Sequence, residues 1–149
     1  MDRKIIPGIV AEQQVASLPP GASALEAAQL MTEKHCAAVI IIDPSERMIG
    51  IITERDITQR VVAQDKPPST TLVSDVMTSN PDALRADDRA GDALELMQVR
   101  GYRHLPVVDD QGKCLAVVSI RDLYAAVKAG LEESIKETEA FVFGDRYGA

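Results

Sequence analysis

An internal repeat constrains the fold of this chain more than any other feature of its sequence. When the 149 residues are compared with themselves at an offset of 66 positions, as from Arg55 to Arg121, one half aligns with the other without a gap. The identical pairs include Val10/Val76, Leu18/Leu84, Ala24/Ala90, Ala27/Ala93, Met31/Met97, Asp43/Asp109, Arg55/Arg121, Asp56/Asp122 and Val61/Val127. Such a repeat predicts two copies of one supersecondary unit.

The first helix of each copy is marked by a capping signal and an apolar stripe. Ser23 and Glu26 form an S-x-x-E capping box, which predicts a helix that begins near residue 24. The inward stripe of that helix is expected at Leu25, Ala28, Leu30 and Met31. In the second copy, Asp87 or Asp88 is expected to cap a helix that continues through Met97.

Two strands follow the first helix in each copy. Short apolar, β-branched runs predict these strands at residues 38–42, 48–52, 105–108 and 115–118. Asp43 and Asp109 begin the turns between them, because an aspartate can accept hydrogen bonds from the backbone that follows it. A short extended piece is expected before each first helix, around residues 15–18 and 81–84.

The fold class that follows is α/β, with two tandem units of helix, strand, strand and helix, each led by a short strand. A copy of this size is marginal on its own, so the two are expected to pack sheet against sheet about a pseudo-two-fold axis. The predicted boundaries are 8–64 for the first repeat, 65–73 for a Pro- and Ser-rich linker, 74–130 for the second repeat and 131–149 for a C-terminal helix and tail with an apolar tip at 141–144.

Composition and charge exclude several classes of function. The net charge of −7 and the absence of a Lys/Arg run argue against nucleic-acid binding, which normally needs a basic face. No apolar run approaches the roughly 18 residues of a membrane span. The N-terminus lacks the apolar run of a signal peptide, so a cytoplasmic location is expected.

Catalysis and metal binding are also not expected. The chain has no phosphate-binding GxxxxGK[ST] loop, no GxGxxG, no HExxH and no GxSxG. Cys36 and Cys114 lie in or beside apolar runs, which is typical of small buried side chains. With only His35 and His104 to join them, a zinc site has few ligands to draw on.

The segment from Thr53 to Asp56, echoed from Ser119 to Asp122, is the most informative for function. One interpretation is purely structural, since a hydroxyl at the helix start and an acid in its first turn stabilise the helix. The other interpretation is a ligand site. A helix start with a hydroxyl can hold phosphate, a nearby carboxylate can hold ribose hydroxyls, and Arg55 and Arg121 add charged donors. The two interpretations are compatible.

This doubled strand–T/S–x–x–D pattern resembles the CBS domain pair, also called the Bateman module, in a stand-alone form of bacterial type. The resemblance covers roughly residues 8–130, and the segments 75–78 and 101–108 are similar to that family's lead-in and strand entry. It implies that Asp56 and Asp122 hold ribose while Thr53 and Ser119 touch phosphate. Apolar segments that include Leu18, Ala38, Pro81 and Leu105 would enclose adenine, and Arg103 and His104 would neutralise phosphate.

We expect one of the two implied sites to be better equipped. The favoured site combines Thr53 and Asp56 with the cations Arg103 and His104. The second site has Ser119 and Asp122 with weaker phosphate partners, and Ala116 stands there in place of the glycine at position 50.

The resemblance implies a regulatory module that needs no cofactor and catalyses nothing. Its expected ligand is an adenosine-containing small molecule of the AMP, ADP, ATP or NADH kind, with AMP favoured. The family often forms homodimers, so we expect a homodimer that acts on an unknown effector protein, with residues 131–144 a candidate for the dimer interface or for partner docking. The alternative is a structural dimerisation module with no physiological nucleotide.

Overall fold

The computed structural model describes residues 3–147, and side chains as far as Val142. The first half of the chain contains β1 (Ser17–Leu18), α1 (Ala24–Lys34), β2 (Ala38–Ile42), β3 (Met48–Thr53) and α2 (Glu54–Asp56), which continues as wider helical turns over Ile57–Val62. The second half contains α3 (Val73–Val76), β4 (Thr78–Ser79), α4 (Ala90–Arg100), β5 (His104–Val108), β6 (Cys114–Ser119) and α5 (Ile120–Tyr147). This order confirms the predicted helix, strand, strand and helix of each copy.

Each half has a small sheet, and the sheet of the first half also includes β4 from the second half. In the first, the order is β1-β2-β3-β4, with β1 parallel to β2 and the other neighbours antiparallel. In the second, β5 and β6 are antiparallel, and an isolated parallel bridge joins Leu84 to Val107. That bridge repeats the pairing of Leu18 with Ile41 at the same offset of 66 residues. The position of both leading segments is therefore as predicted, although the second copy forms an isolated bridge there rather than a strand.

Short segments cross from each half to the other. Ile5, near the N-terminus, is fully buried in the core of the second half, against Leu84, Met97 and Leu105 among others. Val73, which opens α3 just before the second copy, is fully buried in the core of the first half. Each hydrophobic core is thus completed by residues that precede the other copy in sequence.

A third cluster of apolar side chains joins the two halves. Ala38, Ile40 and Ile51 from the first sheet pack with Cys114 from the second, and Val117 lies against them. Ile40 is fully buried, as are Val39 and Ile41 on either side of it, because the first sheet is covered on both faces. This contact supports the expected packing of sheet against sheet.

The helix starts agree with the sequence in one copy and differ in the other. Ser23 and Glu26 form the predicted capping box, at 2.8 and 3.1 Å. The expectation that Asp87 or Asp88 caps α4 is wrong, since the N-cap residue is Arg89 and makes no side-chain cap bond. The Asp88 carboxylate instead accepts a hydrogen bond from the Arg85 backbone N–H at 2.8 Å.

The inward stripe of α1 is shifted from the predicted one. Ala24, Ala27 and Met31 are its buried residues, whereas Leu25 is exposed. Small alanine side chains let α1 approach the sheet closely, and the larger Leu25 points away from the core. The prediction of Leu25 as an inward residue was therefore wrong.

The C-terminal part of the chain is one long helix where the sequence predicted two. α5 runs without interruption through residue 130, and its residues from Leu131 to Val142 are all exposed. A Cβ built on Gly130 would meet no atom within 4 Å, so nothing packs closely on the helix there. Of the predicted tail and apolar tip, Gly148 and Ala149 and all side chains from Phe143 onward lie outside what the structure describes.

Within residues 3–147, no helix combines the length and the apolar character that crossing a membrane requires.

Candidate functional site

Two cavities lie between the halves and are related by the repeat. The first, of about 290 Å³, is lined by Thr53, Arg55 and Asp56 together with residues of the second copy. The second, of about 770 Å³, is lined by Ser119 and Arg121 together with residues of the first copy. The lining pairs at an offset of 66 include Thr53/Ser119, Arg55/Arg121, Pro81/Val15, Asp82/Ala16, Gly101/His35, Tyr102/Cys36, Arg103/Ala37 and His104/Ala38.

Most of the predicted site residues line these cavities. Seven of them lie at the first cavity, namely Thr53, Arg55, Asp56, Pro81, Arg103, His104 and Leu105. At the second cavity lie Ser119, Arg121 and Ala38, and Arg103 and His104 again. Leu18 lines neither cavity, because its side chain packs against the core of the first half. Asp122 is also absent from both linings, although its charge acts on His104.

At the first cavity, the start of α2 is a complete capping box. The Asp56 carboxylate accepts hydrogen bonds at one oxygen, Oδ2, from the Thr53 backbone N–H at 2.9 Å and from the Thr53 hydroxyl at 3.1 Å. The Thr53 hydroxyl in turn accepts from the Asp56 backbone N–H at 3.4 Å. The other carboxylate oxygen, Oδ1, lies 3.6 Å from Nε of Arg60. Oδ1 is therefore the oxygen with capacity left for a ligand.

Arginines converge on the first cavity from both copies. Arg55 donates from Nη1 to the carbonyl oxygen of Gly101 at 3.3 Å, which ties α2 to the end of α4. Arg60 donates from Nη1 to the carbonyl oxygens of Val76 and Met77, both at 3.1 Å. These bonds fix two positive charges at the cavity wall, where they can attract an anion.

The second copy adds further charge to this wall. Nε of Arg100, at the C-terminal end of α4, lies 3.6 Å from Oδ2 of Asp82, and Arg103 follows in the loop before β5. Arg60 and Arg100 were not expected from the sequence. A signal for Arg60 was present, since it follows Asp56 by four residues and so shares its face of the helix.

His104 lies on the boundary between the two cavities. Burial lowers its pKa below the ordinary 6.5, against the opposing effect of the nearby Glu54 and Asp122 carboxylates. Arg103 and Arg55 lower it further. The imidazole is therefore neutral near pH 7, when it can accept a hydrogen bond as well as donate one.

Tyr102 lines the first cavity beside Asp82. Its pKa is raised by partial burial, and also by the charge of Asp82 and by a hydrogen bond to that carboxylate. The ring is half-buried and packs against the core of the second half. The neutral phenol is thus held as a donor to Asp82.

The start of α5 repeats the capping geometry at the second cavity. The Asp122 carboxylate accepts from the Ser119 backbone N–H at 2.8 Å, and the Ser119 hydroxyl accepts from the Asp122 backbone N–H at 3.2 Å. Around it, Arg121 repeats Arg55, but the other three arginines of the first cavity have no arginine equivalent, because Arg60, Arg100 and Arg103 correspond to Ala126, Lys34 and Ala37. The second cavity is therefore larger but poorer in positive charge.

Gly50 has a packing role that the sequence did not reveal. A Cβ at this position would lie only 3.0 Å from Cε and Cγ of Met77 and closer still to its sulfur. Gly50 lines neither of the two cavities. The difference between Gly50 and Ala116 therefore concerns the contact with Met77 rather than approach to a ligand.

Neither cysteine belongs to a metal-binding cluster. In the part of the chain that the structure describes, no three His, Cys, Asp or Glu side chains are grouped so that they could hold a metal ion. The Cys114 thiol is buried and donates to the carbonyl oxygen of Ala116 at 3.2 Å. Burial raises its pKa to about 11, so it is a poor nucleophile and metal ligand.

Comparison with known proteins yields one family for both copies. The sequence profile of the CBS domain matches residues 4–63 and 73–129. An uncharacterized protein of Methanopyrus kandleri is 34% identical over 138 residues, which are 91% of this chain and 70% of that protein.

Solved structures agree with the sequence match. A CBS-domain protein from Burkholderia ambifaria superposes with a TM-score of 0.78 at 28% identity and covers 85% of this chain and 95% of its own. A CBS domain protein from Pyrobaculum aerophilum, solved in complex with AMP, superposes with a TM-score of 0.68 at 27% identity and covers 74% and 84% of the two chains. The expected fold, a tandem pair of such repeats, is confirmed.

Proposed function

The chain belongs to the CBS domain family, and on that premise we propose that it is a regulatory module that binds an adenine nucleotide, preferably AMP, in the first cavity. The observation that carries this proposal is the convergence of Thr53 and Asp56 with Arg103 and His104 from the other copy. The complex of the Pyrobaculum aerophilum relative with AMP supports the choice of ligand.

Each part of AMP has a suitable partner at this cavity. The Asp56 Oδ1 atom can accept hydrogen bonds from the ribose hydroxyls, since Oδ2 is already used by Thr53. Pro81 is half-buried and offers apolar surface for adenine, while Leu105 contributes to the same wall although it is almost fully buried in the core of the second half. The four arginines at the wall outnumber the three carboxylates Glu54, Asp56 and Asp82, which favours a phosphate group.

The size and charge of the first cavity favour a mononucleotide. Its volume of about 290 Å³ is at the lower end of the range for small-molecule sites, roughly 300–1,000 Å³. The excess of positive over negative side chains is a single charge. We therefore expect AMP to bind more tightly than ADP or ATP, and NADH to bind weakly.

The second cavity is proposed as a weaker site of the same kind. Ser119 and Arg121 line it with Ala38, and Asp122 lies behind Ser119. Leu18 is proposed to act only through its strand, which supports β2.

A ligand held between the two copies can act only through its different affinity for two states of the protein. We propose that AMP changes how the module associates with a second copy or with an effector protein of unknown identity. No catalytic step is part of the proposal.

A structural module without a physiological nucleotide is the second candidate. The observation that favours it is the pair of complete capping boxes, at Thr53 with Asp56 and at Ser119 with Asp122. Helix capping alone accounts for these four residues.

Thermal unfolding with and without AMP, ATP, NADH and S-adenosylmethionine decides between the candidates. A ligand at 100 times its Kd adds about 2.7 kcal/mol, which raises Tm by several degrees. We expect the largest shift with AMP. In Arg103→Ala that shift should shrink, whereas Arg47→Ala, an exposed arginine outside both cavities, should keep it.

An unchanged Tm with every adenine compound would refute nucleotide binding and favour the structural module. Native mass spectrometry of the purified protein complements the melts, because one spectrum gives the oligomeric state and the mass of any ligand that was retained.

A further inference from the structure

The two cavities share part of their walls. Four residues line both of them, namely Ala37, Glu54, Arg103 and His104. Of these, Arg103 alone carries a positive charge near pH 7, since the His104 imidazole has a lowered pKa and is then neutral. Arg103 is also exposed, so its long side chain has room to turn towards either cavity.

Arg103 determines the balance of charge in both cavities. Without Arg103, the three remaining arginines of the first cavity are matched by three carboxylates. Without it, the second cavity has Arg121 matched by Glu54. The same guanidinium is therefore the unbalanced positive charge of both cavities, and it can compensate a phosphate in only one of them fully.

We propose that Arg103 couples the two cavities, so that a phosphate-bearing ligand in the first weakens binding of a phosphate-bearing ligand in the second. This inference rests on the proposed function, because it presumes that both cavities take nucleotides. The coupling depends on the phosphate of the ligand and not on its adenine. An uncharged nucleoside such as adenosine therefore binds the two cavities independently.

The first cavity fills first under this proposal. It keeps Arg55, Arg60 and Arg100 when Arg103 turns towards it, whereas the second cavity is left with Arg121. Couplings between two sites on one protein are typically about 5–150-fold in affinity. We expect AMP to bind the second cavity about tenfold more weakly when the first is occupied.

The test is an NMR titration of ¹⁵N-labelled protein with AMP and, separately, with adenosine. The backbone amides of Arg55 and Arg121 report on the first and second cavities. In the wild-type protein, the Arg121 amide should saturate at higher AMP than the Arg55 amide. In the double variant Asp56→Asn with Arg100→Ala, which disables only the first cavity, the Kd read at Arg121 should become about tenfold tighter.

Arg103→Ala separates coupling from simple loss of affinity. In that background, disabling the first cavity should leave the Kd read at Arg121 unchanged. Arg103→Lys should retain part of the antagonism because it retains the charge. The matched control is Arg100→Ala, an arginine of the first cavity alone, which should weaken binding at Arg55 and preserve the antagonism.

The titration distinguishes failure of the coupling from failure of the proposed function. If both amides respond to AMP but the Kd read at Arg121 stays within twofold when the first cavity is disabled, the coupling is refuted and the proposed function stands. Equal antagonism by adenosine would also refute it, since adenosine carries no phosphate. If neither amide responds to AMP, the proposed function itself fails and the coupling fails with it.

Discussion

The contact between Gly50 and Met77 leads to a prediction about stability, for which the equivalent positions of the second copy serve as a comparison. In Gly50→Ala, the new Cβ would lie 3.0 Å from Met77 Cε and Cγ and closer to the sulfur, so Met77 must move. Met77 lies against the core of the first half and directly precedes β4, which pairs with Gly50. Overpacking of this kind typically costs about 1–3 kcal/mol, and we expect Gly50→Ala to lower the free energy of unfolding by that amount.

The second copy shows how the cost can be removed. At the repeat offset, Gly50 corresponds to Ala116 and Met77 corresponds to Ala11. Met77→Ala alone should lose part of its packing, about 1–2 kcal/mol for a half-buried methionine. In that background, Gly50→Ala should be neutral or stabilising by up to about 0.5 kcal/mol, because alanine restricts the unfolded chain more than glycine does.

The measurement is a double-mutant cycle by urea unfolding, followed by far-UV circular dichroism. We expect the double variant to be about as stable as Met77→Ala, so that the coupling energy between the two positions is about 1–3 kcal/mol. Costs that simply add would refute the argument, as would a Gly50→Ala protein as stable as the wild type.

Three further predictions concern single side chains. Because burial lowers the pKa of His104 below its ordinary 6.5, the unfolded chain binds this proton more readily, so stability decreases as the pH falls from about 7 towards 5. His104→Asn should flatten that slope in urea unfolding, and an unchanged slope would contradict the assignment. The Cys114 thiol, with a pKa raised to about 11, should resist iodoacetamide in the native protein and react in urea, as read by mass spectrometry. Ser23→Ala should cost about 1 kcal/mol through loss of the bond from the Glu26 N–H, while Ser45→Ala at an exposed turn should change stability by less than about 0.5 kcal/mol.

The repeat made most of the secondary structure predictable. Asp43 accepts backbone hydrogen bonds from Ser45 and Arg47, and Asp109 accepts them from Gln111 and Lys113, all at 2.9 Å. Such signals are local, since an aspartate at a turn contacts residues two and four positions later. Local signals repeated at one offset reinforce each other, and the turns, the strands and the starts of the second helices were predicted correctly for that reason.

Features that break the repeat were the ones missed. Arg60 and Arg100 lie at the first cavity, but their counterparts Ala126 and Lys34 gave no supporting signal at the same offset. The position of Leu25 was missed for a different reason. Its neighbours Ala24 and Ala27 are only weakly apolar, so hydrophobicity predicted that the larger leucine would face the core. In the structure, close packing of α1 against the core places the smaller alanines there instead.

The exchange of lead-in segments could not be predicted from the repeat at all. An offset of 66 residues relates Ile5 to Thr71 and Pro7 to Val73, but it does not say which copy each segment packs against. In the structure, Ile5 completes the second core and Val73 completes the first. Only the tertiary packing decides this, because both cores offer similar apolar surfaces.

The exchange also gives the ligand proposed for the first cavity a physical route to segments outside that cavity. Arg60 holds the end of α3 through its bonds to the Val76 and Met77 carbonyls, and α3 contributes Val73 to the core of the first half. A phosphate that drew Arg60 towards the first cavity would therefore weaken the attachment of a segment that packs in the core of the first half. Because α3 packs in the core of the first half and leads directly into the second copy, such a change would reach the boundary between the two repeats rather than stay at the cavity.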